Sequence, residues 1–324
     1  MKLTHNILKT IENYEMIKPG DKILIALSGG PDSVFLLNFL HSFEKKLKIK
    51  LFIAHMDHGI RGRESREDAL FVKRLSKGLR IKANFKKLKK IPKHSKISLE
   101  ERLRDERYKF FKASCKKFGT SIVATAHTMD DQAETVLMRI IKGVSLKGLI
   151  GIHPVRIDKK IRFIRPLIET EKKDIVSHLD EKGVDYRIDK TNFENKFLRN
   201  RIRNEVFPFL LKVNPRLKRS LSSMAESLRE DYDFIESEKR KRIKVFTKGK
   251  SCTIPLCDVL MQPKAIRKEM VREALKSVGG NIKKFTYRHW KDVDRFISKA
   301  ERNSSLDLPG SIKIRKIENR LVFE

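Results

Sequence analysis

The chain has 324 residues, 40% of them hydrophobic, with 74 Lys and Arg against 41 Asp and Glu for a formal charge of +33. That length suits about two domains, no apolar run approaches the ~20 residues of a membrane span, and Met1 to Asp21 lacks the apolar core of a signal peptide. Cys115, Cys252 and Cys257 form neither a disulfide framework nor a Cys-x-x-Cys pair, so a reducing, cytoplasmic setting is expected. The basic excess favours a polyanionic partner over a general lysine bias, because acidic residues do not rise with it.

Leu3 to Tyr14 reads as a short helix on the edge of the first domain. The following stretch, Lys22 to Phe43, organises the rest. Ile23 to Leu27 is a short apolar run suited to a central parallel strand. Ser28-Gly29-Gly30-Pro31-Asp32-Ser33 is a turn, and Val34 to Leu40 continues as a helix that is apolar on most of its surface. The glycines let backbone approach a ligand, Pro31 suits a first helical position, and free N–H groups at a helix start attract an anion such as phosphate. No Gly-Lys-Ser/Thr follows, so this is not the common P-loop. Asp32 stands where a cation is missing. A carboxylate beside phosphates is repulsive unless a metal lies between them, which implies Mg2+ on Asp32. The plain alternative is an ordinary strand–turn–helix with a tight glycine turn. The turn's six residues resemble the pyrophosphate loop of the ATP pyrophosphatase superfamily, whose members cut ATP between the α and β phosphates.

Lys50 to His55 is a second strand, and His55-Met56-Asp57-His58-Gly59 sits at its carboxyl end, where open parallel sheets bind ligands. These residues are expected to wall a nucleotide pocket rather than hold a metal. Ser65-Arg66-Glu67-Asp68 has a capping-box pattern and leads a helix to Leu79. Ile81 to Phe85 is a third strand, followed by a lysine-rich loop from Lys86 to Lys96 that reads as solvated or RNA-facing. Ser98-Leu99-Glu100-Glu101 opens a helix in which Arg104 and Arg107 share a face. That pair suits a phosphate clamp, and equally a surface ion-pair face with Glu100, Glu101 and Asp105.

Ile122 to Ala126 is the fourth strand. His127, Asp130, Asp131 and Glu134 follow at the start of the next helix. Capping accounts for one acid there but not for three with a histidine, so a metal or amine site is expected. Ile161 to Ile164 is the fifth strand, and Asp174 to Glu181 is helical. Leu198 to Glu205 packs Arg199, Arg201 and Arg203 around Ile202. Asn214-Pro215 marks a domain boundary, giving domains 1–215 and 216–324. Beyond it Leu217, Leu221, Met224 and Leu228 define one amphipathic helix ending in the basic block Lys239-Arg240-Lys241-Arg242. Helices around Lys264 to Val278 and Tyr287 to Ala300 precede a final hairpin, Ile312 to Ile317 against Leu321 to Phe323. The fold expected is an α/β parallel sheet with helices on both faces, followed by a mainly helical C-terminal domain with a small hairpin.

Six motifs occur in order: Ser-Gly-Gly-Pro-Asp-Ser at 28–33, His-Met-Asp-His-Gly-Ile-Arg at 55–61, Arg-x-x-Arg-Tyr at 104–108, Ala-His-x-x-Asp-Asp-Gln-Ala-Glu-Thr at 126–135, Arg-Pro-Leu at 165–167 and Arg-Asn-Arg-Ile-Arg at 199–203. Together they resemble the tRNA(Ile)-lysidine synthetases, over Leu24 to about Pro215. The family usually has a second histidine where this chain has Thr128.

The resemblance implies a nucleotide alpha hydrolase-like fold and an ATP-dependent ligase. Such an enzyme adenylates the wobble cytidine of the CAU anticodon of tRNA(Ile), and L-lysine then displaces AMP. It implies ATP on Ser28, Gly29, Gly30, Pro31, Asp32, Ser33 and Met56, and Mg2+ on Asp32 and Asp130. Catalytic groups would be Asp32, Arg104, Arg107, His127, Asp131 and Glu134, the last two taking lysine. RNA contacts would come from Arg61, Arg199, Arg201, Arg203, Lys239, Arg240, Lys241 and Arg242. The expected partners are tRNA(Ile) and L-lysine, with no membrane and a homodimer left open. Three rivals stand beside this reading. A tRNA thiolase needs reactive or cluster-binding cysteines. An amide-forming synthetase has no need of such a charge. A basic RNA-binding protein gains nothing from Asp32 and the acids after His127.

Overall fold

The structure, a computed structural model, describes residues 2–57, 63–88, 99–188, 198–242, 246–248 and 251–324. It divides into two compact units, Met1–Glu226 and Ser227–Glu324.

The first unit contains α1 (Lys2–Asn13), β1 (Lys22–Ala26), α2 (Pro31–Ser42), α3 (Glu44–Leu47), β2 (Lys50–Asp57), α4 (Arg63–Gly78), β3 (Ala83–Lys87) and α5 (Leu99–Phe118). Then come β4 (Ile122–Ala124), α6 (Met129–Ile141), α7 (Leu146–Leu149), β5 (Val155–Asp158), β6 (Ile161–Ile164), α8 (Lys172–Glu181), α9 (Leu198–Arg201), a π-helical turn (Ile202–Val206) and α10 (Phe207–Val213). The long helix α11 (Leu217–Arg242) crosses the division between units. The two units thus part within α11.

The six strands form one sheet in the order β3-β2-β1-β4-β6-β5. All neighbours are parallel except β5, which runs antiparallel to β6 along the edge. The central strands are buried on both faces, as their continuous apolar runs require. Leu36, Leu37 and Leu40 of α2 and Ile175 and Leu179 of α8 pack in one core with Ile23 and Ile25, whereas Phe110, Phe111 and Cys115 of α5 pack in another with Leu24, Phe52 and Phe163. Adjacent residues of β1 thus feed two cores, because strand side chains alternate between faces.

Strand order reverses between β1 and β4. The crevice outside their carboxyl ends is the place where doubly wound sheets bind ligands. One helix start differs from its sequence pattern: α4 begins at Arg63, so Ser65 lies inside the helix, buried, rather than capping it.

The second unit holds the end of α11, β7 (Phe246–Lys248), β8 (Ser251–Pro255), α12 (Leu256–Leu260), α13 (Lys264–Ser277), a 3-10 turn (Ile282–Lys284), α14 (Tyr287–Lys299), β9 (Ser304–Leu308), β10 (Ile312–Ile317) and β11 (Arg320–Phe323). The expected hairpin pairs Ile317 with Arg320 and belongs to a five-stranded antiparallel sheet, β7-β8-β11-β10-β9. Its core gathers Ile254, Met270, Leu275, Ile297, Ile314 and Phe323. Among the described residues no helix is long and apolar enough to cross a membrane.

Candidate active site

The glycine turn leaves β1 and enters α2 with Gly30 as N-cap and Pro31 at the first helical position. Gly29 has φ of +98°, a conformation that a side chain would strain. The turn is knitted by two hydroxyls. Ser33 Oγ accepts from the N–H groups of Ser28 and Gly29, both at 3.2 Å, and donates to Gly30 O at 2.9 Å. Ser28 Oγ accepts from Gly30 N–H at 3.3 Å. Backbone donors thus converge on oxygen atoms at the start of a 12-residue helix, an arrangement suited to phosphate oxygens. Arg187 braces the turn from outside: its N–H donates to Gly29 O at 2.9 Å, while its guanidinium bonds Glu67 and Asp68 of α4. No sequence pattern marked that residue.

Asp32 follows the turn. Its Oδ1 is buried with no hydrogen-bond partner, and its Oδ2 faces Lys172 Nζ at 3.6 Å. Burial, with Asp131 and Asp130 adding to it and Lys172 opposing, pushes the carboxyl up to about 6. An orphaned carboxylate oxygen beside a phosphate cradle fits Mg2+, which takes one or two protein oxygens and completes its shell with water and substrate phosphates. Lys172, the first residue of α8, supplies a cation that the loop lacks, from 140 positions further along the chain. Spacing could not have shown this.

Across the crevice, His127 and the start of α6 follow β4. Thr125 Oγ1 and His127 Nδ1 lie 2.9 Å apart. Burial, joined by the cations of Arg165, Arg199 and Arg107 and opposed by Asp131, pushes the imidazole down to about 4. His127 is therefore neutral at physiological pH, and Arg107 stands near enough to act on it.

Thr128, where the family pattern has histidine, is the N-cap of α6 in a capping box with Asp131. Each of the three acids is held by this chain's own cations. Asp130 accepts from Lys172 N–H at 2.7 Å and pairs with Lys218 at 2.5 Å, so both oxygens are engaged. Asp131 Oδ1 accepts from Arg199 at 2.9 Å while Oδ2 caps the helix. Burial works to raise Asp131, but Arg199 foremost, then His127 and the Thr128 N–H, hold it below the usual carboxylate range. Glu134, 3% exposed, receives Arg199 Nε at 2.8 Å and Arg203 Nε at 2.6 Å. Two sets of expected site residues thus meet each other. The arginines read as RNA contacts fill the acids read as a metal or amine site, and among the described residues no cluster of three metal-ligating side chains forms.

Other expected residues separate. Met56 is half-buried near the end of β2 and packs against the core of Leu24, Phe52 and Phe163. His55 is buried, with Nδ1 2.9 Å from Leu27 O, a bond that ties β2 to the start of the loop. Arg104 is exposed over Tyr108, whereas Arg107 neighbours His127. Arg201 is exposed and pairs loosely with Glu205 at 3.7 Å. Lys239 corrects the sequence reading: it is 6% exposed and pairs with Glu236 at 2.7 Å and Glu273 at 3.4 Å, so it is packed inside its unit. Arg240, Lys241 and Arg242 are exposed, the last two paired with Glu238. Arg61 and most of the lysine-rich loop lie outside the described residues.

A glycine cradle and a metal-competent aspartate at the switch point of a parallel sheet define a nucleotide enzyme of the pyrophosphate-loop class, and residues 1–210 match the PP-loop domain family. The chain is 36% identical to the tRNA(Ile)-lysidine synthase of Caldanaerobacter subterraneus subsp. tengcongensis over 99% of its own length and 69% of that protein. It is 33% identical to that of Geobacter sulfurreducens over 98% and 69%, and 36% identical to that of Persephonella marina over 98% and 68%. The chain belongs to the tRNA(Ile)-lysidine synthase family. In fold it is similar to the U34-tRNA thiolase NcsA from Methanococcus maripaludis, with a TM-score of 0.60 at 20% identity over 71% of this chain and 78% of the other.

Proposed function

We propose that this chain forms lysidine on tRNA(Ile) bearing a CAU anticodon, using ATP and L-lysine and releasing AMP and pyrophosphate. In the first step the 2-position oxygen of the wobble cytidine attacks the α-phosphorus and pyrophosphate leaves. In the second, the neutral lysine ε-amine attacks C2 of that cytidine, the bond from C2 to the adenylated oxygen breaks so that AMP leaves with that oxygen, and the new C2–N group gives up a proton. The observation that carries this reading is the loop at 28–33, whose converging N–H groups stand beside the orphaned Asp32 oxygen.

In this scheme the loop's N–H groups turn from the Ser28 and Ser33 hydroxyls to the pyrophosphate oxygens. Asp32 would hold Mg2+, which screens the phosphate charge when bound. Asp130 contributes instead by anchoring Lys172 and Lys218. Arg107 stabilises negative charge near the α-phosphate. His127, neutral with Nδ1 committed to Thr125, keeps Nε2 to accept the proton that the amine must lose before it is nucleophilic. Asp131 and Glu134 attract the lysine ammonium, and its entry requires Arg199 or Arg203 to yield a place.

Sulfur transfer fits less well. Cys115, the one cysteine of the first unit, is buried, and burial raises its thiol to about 11; Cys252 is also buried and raised, and the exposed Cys257 belongs to the second unit. The experiment is incorporation of labelled lysine into a tRNA(Ile) transcript with a CAU anticodon, with and without ATP. ATP-dependent incorporation with equal AMP release is expected. AMP release without lysine incorporation would move the second substrate elsewhere, and neither activity would overturn the enzyme reading.

A further inference from the structure

Beyond His127 the first unit carries guanidiniums that, among the described residues, meet at most one distant carboxylate. Arg104 of α5 and Arg156 of β5 lie 5.4 and 4.7 Å from the centroid of the same ring, Tyr108. Arg165, 4% exposed, donates to His153 O and stands beside the Tyr108 hydroxyl. Arg139 donates to the carbonyls of Gly148 and Gly151. Among the described residues Arg104, Arg139 and Arg165 have no carboxylate within ion-pair distance, and Arg156 has only Asp158, at 3.9 Å. The Nε atoms of Arg156 and Arg165 are buried without a partner. Between α5 and β5 opens a cavity of about 340 Å³, walled by Arg104, Tyr108, Lys112 and Arg156 with Asp105 and Asp158 as its acids. Lys112 pairs with Asp158 at 3.0 Å and Lys109, which also lines the cavity, pairs with Glu106 at 2.9 Å, so the guanidiniums are the cations least engaged by acids.

Like charges gathered in a half-buried place oppose folding unless an anion joins them. Burial, with neighbouring guanidiniums, holds Arg139 and Arg165 below the usual arginine range, Arg165 at about 10. The location narrows the anion. β5 lies antiparallel beside β6 with Val155 opposite Ile164, so Arg156 sits near the carboxyl edge of the sheet. Arg107, one helical turn from Arg104, neighbours His127. The cationic line therefore runs from the crevice outward past the last strand. It has no glycine cradle of the kind that holds free nucleotides. A polymer with one nucleotide in the crevice must lay its neighbours along such a line.

We propose that the Arg104–Tyr108–Arg156 cavity binds the RNA nucleotide next to the one that reacts, its phosphodiester on the guanidiniums and its base against their planes. This rests on the RNA-substrate reading above. Guanidiniums braced against an aromatic ring present the rigid planar fork that phosphates and unstacked bases both accept.

The test uses the full chain and an anticodon stem–loop RNA. Arg156→Ala is expected to weaken binding about 10-fold and to flatten the dependence of log affinity on log salt by about one. ATP–Mg2+ affinity should stay unchanged, and Arg156→Lys should recover only part of the loss. A photoreactive 4-thiouridine beside the target cytidine should crosslink the unmutated protein within 104–112 or 155–158. Unaltered RNA affinity and salt slope in Arg156→Ala overturn the site, as do crosslinks confined to other segments. If the unmutated chain does not bind the stem–loop at all, the RNA reading itself falls, and the site with it.

Discussion

Asp32 is kept where its charge is costly. Its carboxyl titrates at about 6 against an ordinary 3.8, so between those values the folded protein binds the extra proton. Stability conferred by this group therefore falls as pH rises from about 4 to 6, and the ionised carboxylate opposes folding above that. Asp32→Asn should stabilise the apoprotein by roughly 1–3 kcal/mol at about pH 7.5, the gain disappearing toward pH 4, while ATP cleavage is lost. Thermal melting of the two proteins across that range checks it; a destabilised variant would mean that the pair with Lys172 outweighs burial. Under the proposed function the same group should set the acid limb of activity. kcat/KM for ATP should fall as pH drops through about 6, because a protonated Asp32 cannot hold Mg2+. His127, already neutral above about 4, should contribute no limb there. A pH–rate profile with a break near 4 alone would show that Asp32 is not required as the anion.

Between elements, the firmest tie at the site joins the first turns of α6 to α9 and the π-helical turn after it. Glu134 receives both Arg199 and Arg203, and Ile202 between them is buried against Ala133 and Val136. A double-mutant cycle of Glu134→Gln with Arg203→Met should give a coupling of about 1–3 kcal/mol by denaturant unfolding, the arginine being about 30% exposed. A coupling near zero would return Arg203 to the RNA.

This tie also marks how far the sequence could be read. β1, β2 and β4 were legible because burial on both faces leaves continuous apolar runs, β6 because Phe163 and Ile164 are apolar and buried despite Arg162, and the loop because glycine, proline and aspartate have few other uses in that order. β5 was not: Val-Arg-Ile-Asp is four residues long, on an edge, with Ile157 72% exposed, so it leaves no pattern. β9 begins with two serines and is visible only through its pairing with β10. At the site, residue types were readable but partners were not. Asp131, Glu134, Arg199 and Arg203 each carry a sign, and only the fold shows that they neutralise one another. Thr128 likewise looked like a lapse in a histidine motif until its hydroxyl was seen to cap α6.

For the whole molecule, a charge of +33 makes a statement about salt. Each phosphate neutralised releases condensed counterions, so affinity for tRNA should fall steeply with ionic strength, by about 10³ or more between 50 and 200 mM if six or more phosphates are contacted. The basic block at the end of α11 divides exposed charge from charge that holds the fold. Lys239 is buried against Glu236 and Glu273, and its neutralisation removes the buried cation they share, with Lys276 still 3.6 Å from Glu273. Lys239→Met should therefore lower the melting midpoint of the second unit and leave the salt slope alone. Arg240 is exposed, while Lys241 and Arg242 share Glu238, so three positive charges face solvent against one negative. Arg240, Lys241 and Arg242 changed together to Ala should reduce the magnitude of the salt slope by about 1–2 with little change in stability. Filter binding at four salt concentrations and one thermal melt per variant read both quantities. A flattened slope in Lys239→Met would show that this lysine reaches RNA rather than only holding the fold, whereas an unaltered slope in the triple variant would place the RNA on another surface and leave those three residues as solvated charge.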